Sequence, residues 1–227
     1  MKGLGSRVVA VYGLAALAWA VFVMWWGGRG TPLTPQEIDA VFRDFDALRD
    51  GGVRHIDPHL MTALREVSRH DDGNEFIMVN LMKFRKRALY PADSEFAGDL
   101  DALAADGRYN HIVLPHLVSH ASVPVFYSKV AGRFLHPDGA DEWDAVALVR
   151  YRSRRDFLSF ALAIGRSNGD VHKWASMEKT HIFPVTAQLK LAGFQIPVLL
   201  YSVRAVSGLV FFALAALIVK RIDGRRH

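Results

Sequence analysis

The sequence predicts an α+β domain held between two membrane-spanning helices. Three observations predict it. Two dense apolar runs of strand length, Asn74–Arg87 (NEFIMVNLMKFRKR) and Trp143–Arg155 (WDAVALVRYRSRR), lie about sixty residues apart in a polar middle region. Between them sit a helix-like segment and further strand-like runs. Both ends of the chain are long apolar stretches, the first without a charge and the second with Arg204 alone.

Composition fits that plan. At 227 residues with two hydrophobic ends, there is room for one medium-sized globular domain. The hydrophobic fraction of 51% is raised by those ends. The formal net charge is +5, yet residues 28–196 carry 21 Lys/Arg against 22 Asp/Glu. The basic excess sits in the flanks, at Lys2, Arg7, Lys220, Arg221, Arg225 and Arg226. That pattern marks membrane orientation and implies no basic groove for nucleic acid. There is no cysteine, which excludes disulfides, zinc-thiolate sites and thiol catalysis.

The first span is Val8–Gly28, flanked by the short terminus 1–7. At about 1.5 Å per residue it is roughly 31 Å long, enough to cross a bilayer core. Trp25 and Trp26 fall at one end, where amphipathic rings favour the interface. No A-x-A-type site follows, so the segment reads as an uncleaved anchor rather than a signal peptide. The second span is Val198–Val219, followed by the basic tail 220–227. Arg204 lies in its first third, where its side chain can snorkel to the nearer surface or, alternatively, meet a partner subunit's carboxylate or a pigment or quinone group. Both outer flanks are rich in Lys/Arg, so the positive-inside rule puts both termini in the cytoplasm. The central domain then lies on the outer side, the periplasm in a double-membrane bacterium.

A helical linker, 29–73, comes next. Thr34-Pro35-Gln36-Glu37 reads as a capping box with proline at the first helical position. Ile38, Val41, Phe42, Phe45 and Leu48 fall at helical spacing, and Gly51-Gly52 stops the helix. Asp57-Pro58 starts a second helix with Leu60, Met61, Leu64 and Val67 on one face, and Asp71–Asn74 is a turn.

The domain itself is placed at 74–186, with a linker at 187–197 before the second span. Glu75–Phe84 is its first strand, apolar on both faces and therefore covered on both. Asp93–Asp106 reads as a helix with Phe96, Leu100 and Leu103 inward and Gly107 as its stop. His111–His120 and Val123–Gly132 read as strands, and Trp143–Tyr151 as the fourth. Ser153 caps a helix ended by Gly165, Asp170 caps a short one, and Thr180–Val185 closes the sheet. The order approaches β-α-β-β-α-β, the ferredoxin-like pattern.

The histidine spacings H-x4-H-x3-H at His111, His116 and His120 and H-x3-H at His55 and His59 invite a metal test. On a strand, four residues span about 13 Å, too far to share one ion. No metal is therefore expected. Asn80 and Arg150 are the stronger candidates: on paired strands of one sheet, a polar pair facing an apolar cavity suits a carboxylate or carbonyl. Tyr127, Tyr151 and His172 would line that cavity. The competing reading pairs Arg150 with Asp144 or another acid. No nucleophile elbow or phosphate loop appears, and no cofactor is implied by the residues themselves.

Met78–Arg85 resembles the N-L-x-x-F-R signature of the dimeric α/β-barrel superfamily, in the branch called domain of unknown function 1330. Trp143-Asp144 and Val149–Arg154 are similar to its W-D and R-Y-P-S-R segments, and His172–Glu178 to its H-R-x-A-A-L-E helix. The resemblance covers roughly residues 75–185. It implies a ferredoxin-like fold whose sheets pair face to face in a homodimer. Small monooxygenases, isomerases and haem-binding enzymes share the superfamily, so haem at one of the histidines is the cofactor alternative by that analogy alone. Fold does not give function. The chain departs from the pattern: Arg152 stands for a proline, Lys173 for an arginine, no Gly-Gly precedes the second strand, and two spans are added. The function expected is an assembly or accessory subunit of a larger membrane complex, or a homodimer. The alternative is a small-molecule enzyme or sensor using the cavity.

Overall fold

The computed structural model describes residues 2–27, 31–52, 58–132, 134–135, 141–186 and 196–223, with side chains described from Arg7 and, in the last helix, from 206 to 221. Two compact units emerge, one made of Met1–Gly27 with Ala187–His227 and the other of Gly28–Thr186.

The first unit is a helix pair, α1 (Lys2–Gly27) and α7 (Ile196–Asp223). Among the described residues, one helical segment, Arg7–Gly27, is long and apolar enough to cross a membrane. α1 and α7 pack through aromatic rings, Tyr12 on Phe212 at 6.5 Å and Phe22 on Phe211 at 6.3 Å. Gly208 allows the close approach, since a Cβ there would lie 3.1 Å from Trp19 Nε1. Arg204 lies in α7, but its side chain falls outside the described residues.

The second unit is a mixed α+β domain. It begins with α2 (Pro35–Asp50) and α3 (Pro58–Arg69). The capping box at Thr34 forms as the sequence predicts. The Thr34 hydroxyl accepts from Glu37 N at 3.3 Å, and Thr34 N donates to the Glu37 carboxylate at 2.8 Å. Gly51 ends the helix, and Gly52 follows at φ +92°, which favours glycine. Phe42, Phe45, Met61 and Leu64 bury against Leu158 and Leu162, so residues of the expected linker share a core with the domain.

Four strands form one antiparallel sheet in the order β2-β3-β1-β4: β1 (Phe76–Phe84), β2 (Val123–Lys129), β3 (Ala145–Tyr151) and β4 (Met177–Val185). Between them run α4 (Ala102–Ser119), α5 (Arg154–Ser167) and α6 (Asp170–Ser176). Phe76, Met78 and Tyr151 of the sheet pack against Val113 and Leu117 of α4 and Phe160 and Ile164 of α5. α2 and α3 lie on the outer side of α5, giving three layers.

The structure corrects the middle of the chain. The stretch expected as a helix over Asp93–Asp106 is a series of turns to about residue 100, and Leu100 and Leu103 are exposed. The helix starts later because Asp101 caps it, accepting from Leu103 N at 2.9 Å and Ala104 N at 3.0 Å. It then runs through Gly107 and Pro115, so His111–His120 is helical and not a strand. Pro115 removes one backbone bond, but Val113 and Leu117 are buried four residues apart on the sheet. Tertiary burial overrides the local strand signal there. β2 ends at Lys129 rather than Gly132, and Ala145–Tyr151 is the third strand, not the fourth. α5 continues past Gly165 to Ser167 and ends on Asn168 in the left-handed conformation, φ +52°.

Candidate functional site

Strand alternation sorts the candidate residues. In β1 and β3, Asn80 pairs with Ala147 and Met78 with Val149, while Ile77 pairs with Arg150. Opposed residues share a face and neighbours alternate. Asn80 therefore lies on the helix-covered side with Met78, and Arg150 on the opposite side with Ile77. The two cannot hold one ligand between them, which corrects the expected polar pair. Tyr127, opposite Ala147, and Tyr151, opposite Phe76, lie on Asn80's side.

Each of these has a local role. Asn80 Nδ2 donates to Met78 O at 3.1 Å. Arg150 is 5% exposed, and its Nε and Nη2 reach Glu75 Oε2 at 2.7 and 2.6 Å. An acid does pair with it, but the acid is Glu75; Asp144 instead accepts from Lys83 Nζ and Phe84 N. Burial pushes the Arg150 guanidinium down, and Glu75 opposes that shift. Tyr151 is buried, stacked on Phe76 at 5.4 Å, and burial pushes its hydroxyl well up. Tyr127 is largely exposed.

His172 sits in a polar knot. Gly169 precedes α6, and a Cβ there would lie 2.8 Å from Ile112 Cγ2, so α6 approaches α4 closely. That places His172 Nδ1 2.9 Å from the Tyr90 hydroxyl, to which Arg108 Nη1 donates at 3.3 Å. Arg108 also pairs with Asp99 and lies over the Phe96 ring, 5.0 Å from its centroid. Phe96 meets the imidazole edge-on at 4.8 Å. Burial, then the Arg108 charge, push the His172 pKa down. A neutral imidazole then accepts the Tyr90 O–H at Nδ1, a tautomer assigned from this network.

One position along α6, Lys173 projects between rings, its Nζ 5.5 Å from the Tyr109 centroid and 5.7 Å from that of Trp174. Burial lowers this amine to about 8, against the opposing charges of Asp106 and Asp170. Asp106 is buried and accepts from Asn110 Nδ2 at 2.9 Å, and burial raises its carboxyl. Asp106, Tyr109 and Asn110 form one face of α4 by their i, i+3, i+4 spacing. Reading residues 102–119 as a helix would have exposed that face in the sequence.

Among the described residues, no group of three His, Asp or Glu is placed to hold a metal ion. His116 and His120 are four apart on α4, within sharing distance, which overturns the strand argument used against them. The His120 ring nitrogen Nδ1 instead lies 2.7 Å from His116 O. His55 lies outside the described residues.

The other side of the sheet is apolar and open within this domain. Ile77, Val79, Leu81, Val146 and Leu148 share it by register, with Phe126 from β2 and Phe183 from β4. The last two are 49% and 43% exposed, and none of the seven belongs to a buried core cluster. Arg150 with Glu75, and Lys83 with Asp144, sit toward its ends.

No family model and no curated relative matches this chain. Among the solved structures that resemble it are the following two. One is described as the crystal structure of methylated RPA0582 protein, with TM-score 0.51 and 21% identity, covering 61% of this chain and 97% of its own. The other is RPA0582, a protein of unknown function from Rhodopseudomonas palustris, with TM-score 0.50 and 19% identity, covering 60% and 95%. At this identity the likeness shows the fold alone. About two fifths of the present chain has no counterpart in either.

Proposed function

We propose that this protein is a membrane-anchored domain that works by association, as a homodimer or as an accessory subunit of a larger membrane complex. The observation that carries this reading is the open apolar sheet face built by Val79, Leu81, Val146, Leu148, Phe126 and Phe183. A contiguous apolar surface of this kind, rimmed by charge, marks an interaction site. The strand order β4-β1-β3-β2, with helices on one side, supports a ferredoxin-like domain whose free face pairs with a partner. In this reading α1 and α7 cross the inner membrane, both termini are cytoplasmic, and the domain lies outside.

The test is a native mass of the full chain gently solubilised from its membrane, beside the same measurement on Leu148→Glu. A charge at the centre of a buried interface is expected to shift the protein to the monomer while its helical content stays intact. Unchanged association in Leu148→Glu, or a wild-type monomer, would refute pairing through this face.

A further inference from the structure

Residues 88–100, between β1 and α4, form a strap of turns with no helix or strand. Its backbone is tied near its two ends, where Ala88 N donates to Leu100 O and Leu89 N to Ala175 O, both at 2.9 Å. Between those ties, Tyr90, Phe96 and Asp99 of the strap attach to two helix side chains, His172 of α6 and Arg108 of α4. Ala105 and Ala175 lie in one core with Ala88 and Tyr90 and are 0% and 1% exposed. The contact has a direction. Arg108 donates to the Tyr90 oxygen, so the phenol's one proton is left for the imidazole, and Nδ1 must be bare to accept it. A proton on Nδ1 removes that acceptor and turns two cations toward one phenol oxygen.

We propose that His172 is an acid-released latch: proton uptake on its ring frees residues 88–100 from the helices and uncovers Ala105 and Ala175. The charged and titratable groups that face the ring are Arg108 from α4, and Tyr90 and Glu95 from the strap. On its own helix, Asp170 and Lys173 face Asp106 and Tyr109 instead. Among the described residues, α5 and β4, which also touch α6, add no charge to it. The Asp101 amide, then Arg108, hold the Asp99 carboxyl below its ordinary range, so the Asp99–Arg108 pair persists at pH 5 and keeps the guanidinium in place. The helices keep their own backbone bonds and meet closely at Gly169, so the strap is the segment that opens first. The latch lies on the helix-covered side of the sheet and is independent of pairing through the open face.

The experiment is hydrogen–deuterium exchange of the full-length protein in mild detergent at pH 7.5 and pH 5.0, corrected for intrinsic exchange. An imidazole that returns to its ordinary 6.5 in the open strap allows opening to grow by at most about 30-fold over that interval. The Ala88 and Leu89 amides are therefore expected to lose about 5–30-fold in protection. Amides of β1 and β3 should exchange at least about 10-fold more slowly than these at both pH values. His172→Gln offers an amide oxygen to the Tyr90 proton and does not titrate, so its strap should be equally protected at the two pH values. Unchanged strap protection in the wild type would overturn the latch. Exchange of the strap, β1 and β3 at one common rate would overturn it too, by making the opening global, and neither result needs the variant. A His172→Gln strap that opens with acid as the wild type does would also sink it.

Discussion

Glu37 shows how a single exposed side chain ties two elements together. The hydrogen bond from Arg155 of α5, then those from Thr34, hold its carboxyl at about 2, below the ordinary 4.5. A carboxylate depressed in the folded state contributes stability that is full above about pH 4.5 and lost as pH falls toward 2. The melting temperatures of wild type and Glu37→Gln should therefore differ at pH 6 and converge at pH 2.5. His172 has the opposite chemistry and the same sign. Its depressed pKa means that the unfolded chain takes up a proton first as pH falls below the ordinary 6.5. Wild-type melting temperature should fall from pH 7.5 to pH 5, and His172→Gln should flatten that slope. An equal slope in both proteins would show that the imidazole does not govern it.

At the scale of elements, α4 and α5 decide the architecture. Asp101 sets where α4 begins, so Asp101→Ala should cost about 1 kcal/mol, read by urea denaturation. Leu158 is fully buried between α5 and the α2–α3 layer. Leu158→Ala should cost about 2–5 kcal/mol, and the loss should appear in the unfolding of the whole domain. A loss confined to a separate early transition would make α2–α3 an independent appendage instead. The asymmetry of the sheet is also an element-scale property. Phe76, Met78 and Tyr151 are consumed by the helices, while Ile77, Val79 and Leu148, one step along the same strands, belong to none of the domain's buried cores.

For the whole molecule, the absence of cysteine makes orientation measurable without background. In the proposed topology a cysteine introduced at exposed Ser119 should react with a membrane-impermeant maleimide in intact cells. One introduced at Arg225 should react only after permeabilisation. The reverse pattern would invert the topology, and labelling of both in intact cells would place the C-terminal end on the same side as the domain.

The sequence by itself determined the features that depend on neighbours in the chain. The capping box at Thr34, the Gly51-Gly52 stop, the Ser153 cap, the strand at 76–84 and the apolar helix at the N-terminus all rest on local dihedral preference, end-group hydrogen bonding or hydropathy. Its reading failed where local and distant forces disagree. His111–His120 carries β-branched residues and a proline, yet it is helical, because burying Val113 and Leu117 against the sheet outweighs that preference. Only the tertiary structure decided the candidate sites. Register put Asn80 and Arg150 on opposite faces, and no local pattern encodes which strand positions will meet. The approach of α6 to α4 at Gly169 brought Lys173 beside Asp106 and Tyr109, more than sixty residues earlier in the chain. Proximity of that kind comes from packing, because the residues that make it share neither a turn nor a strand.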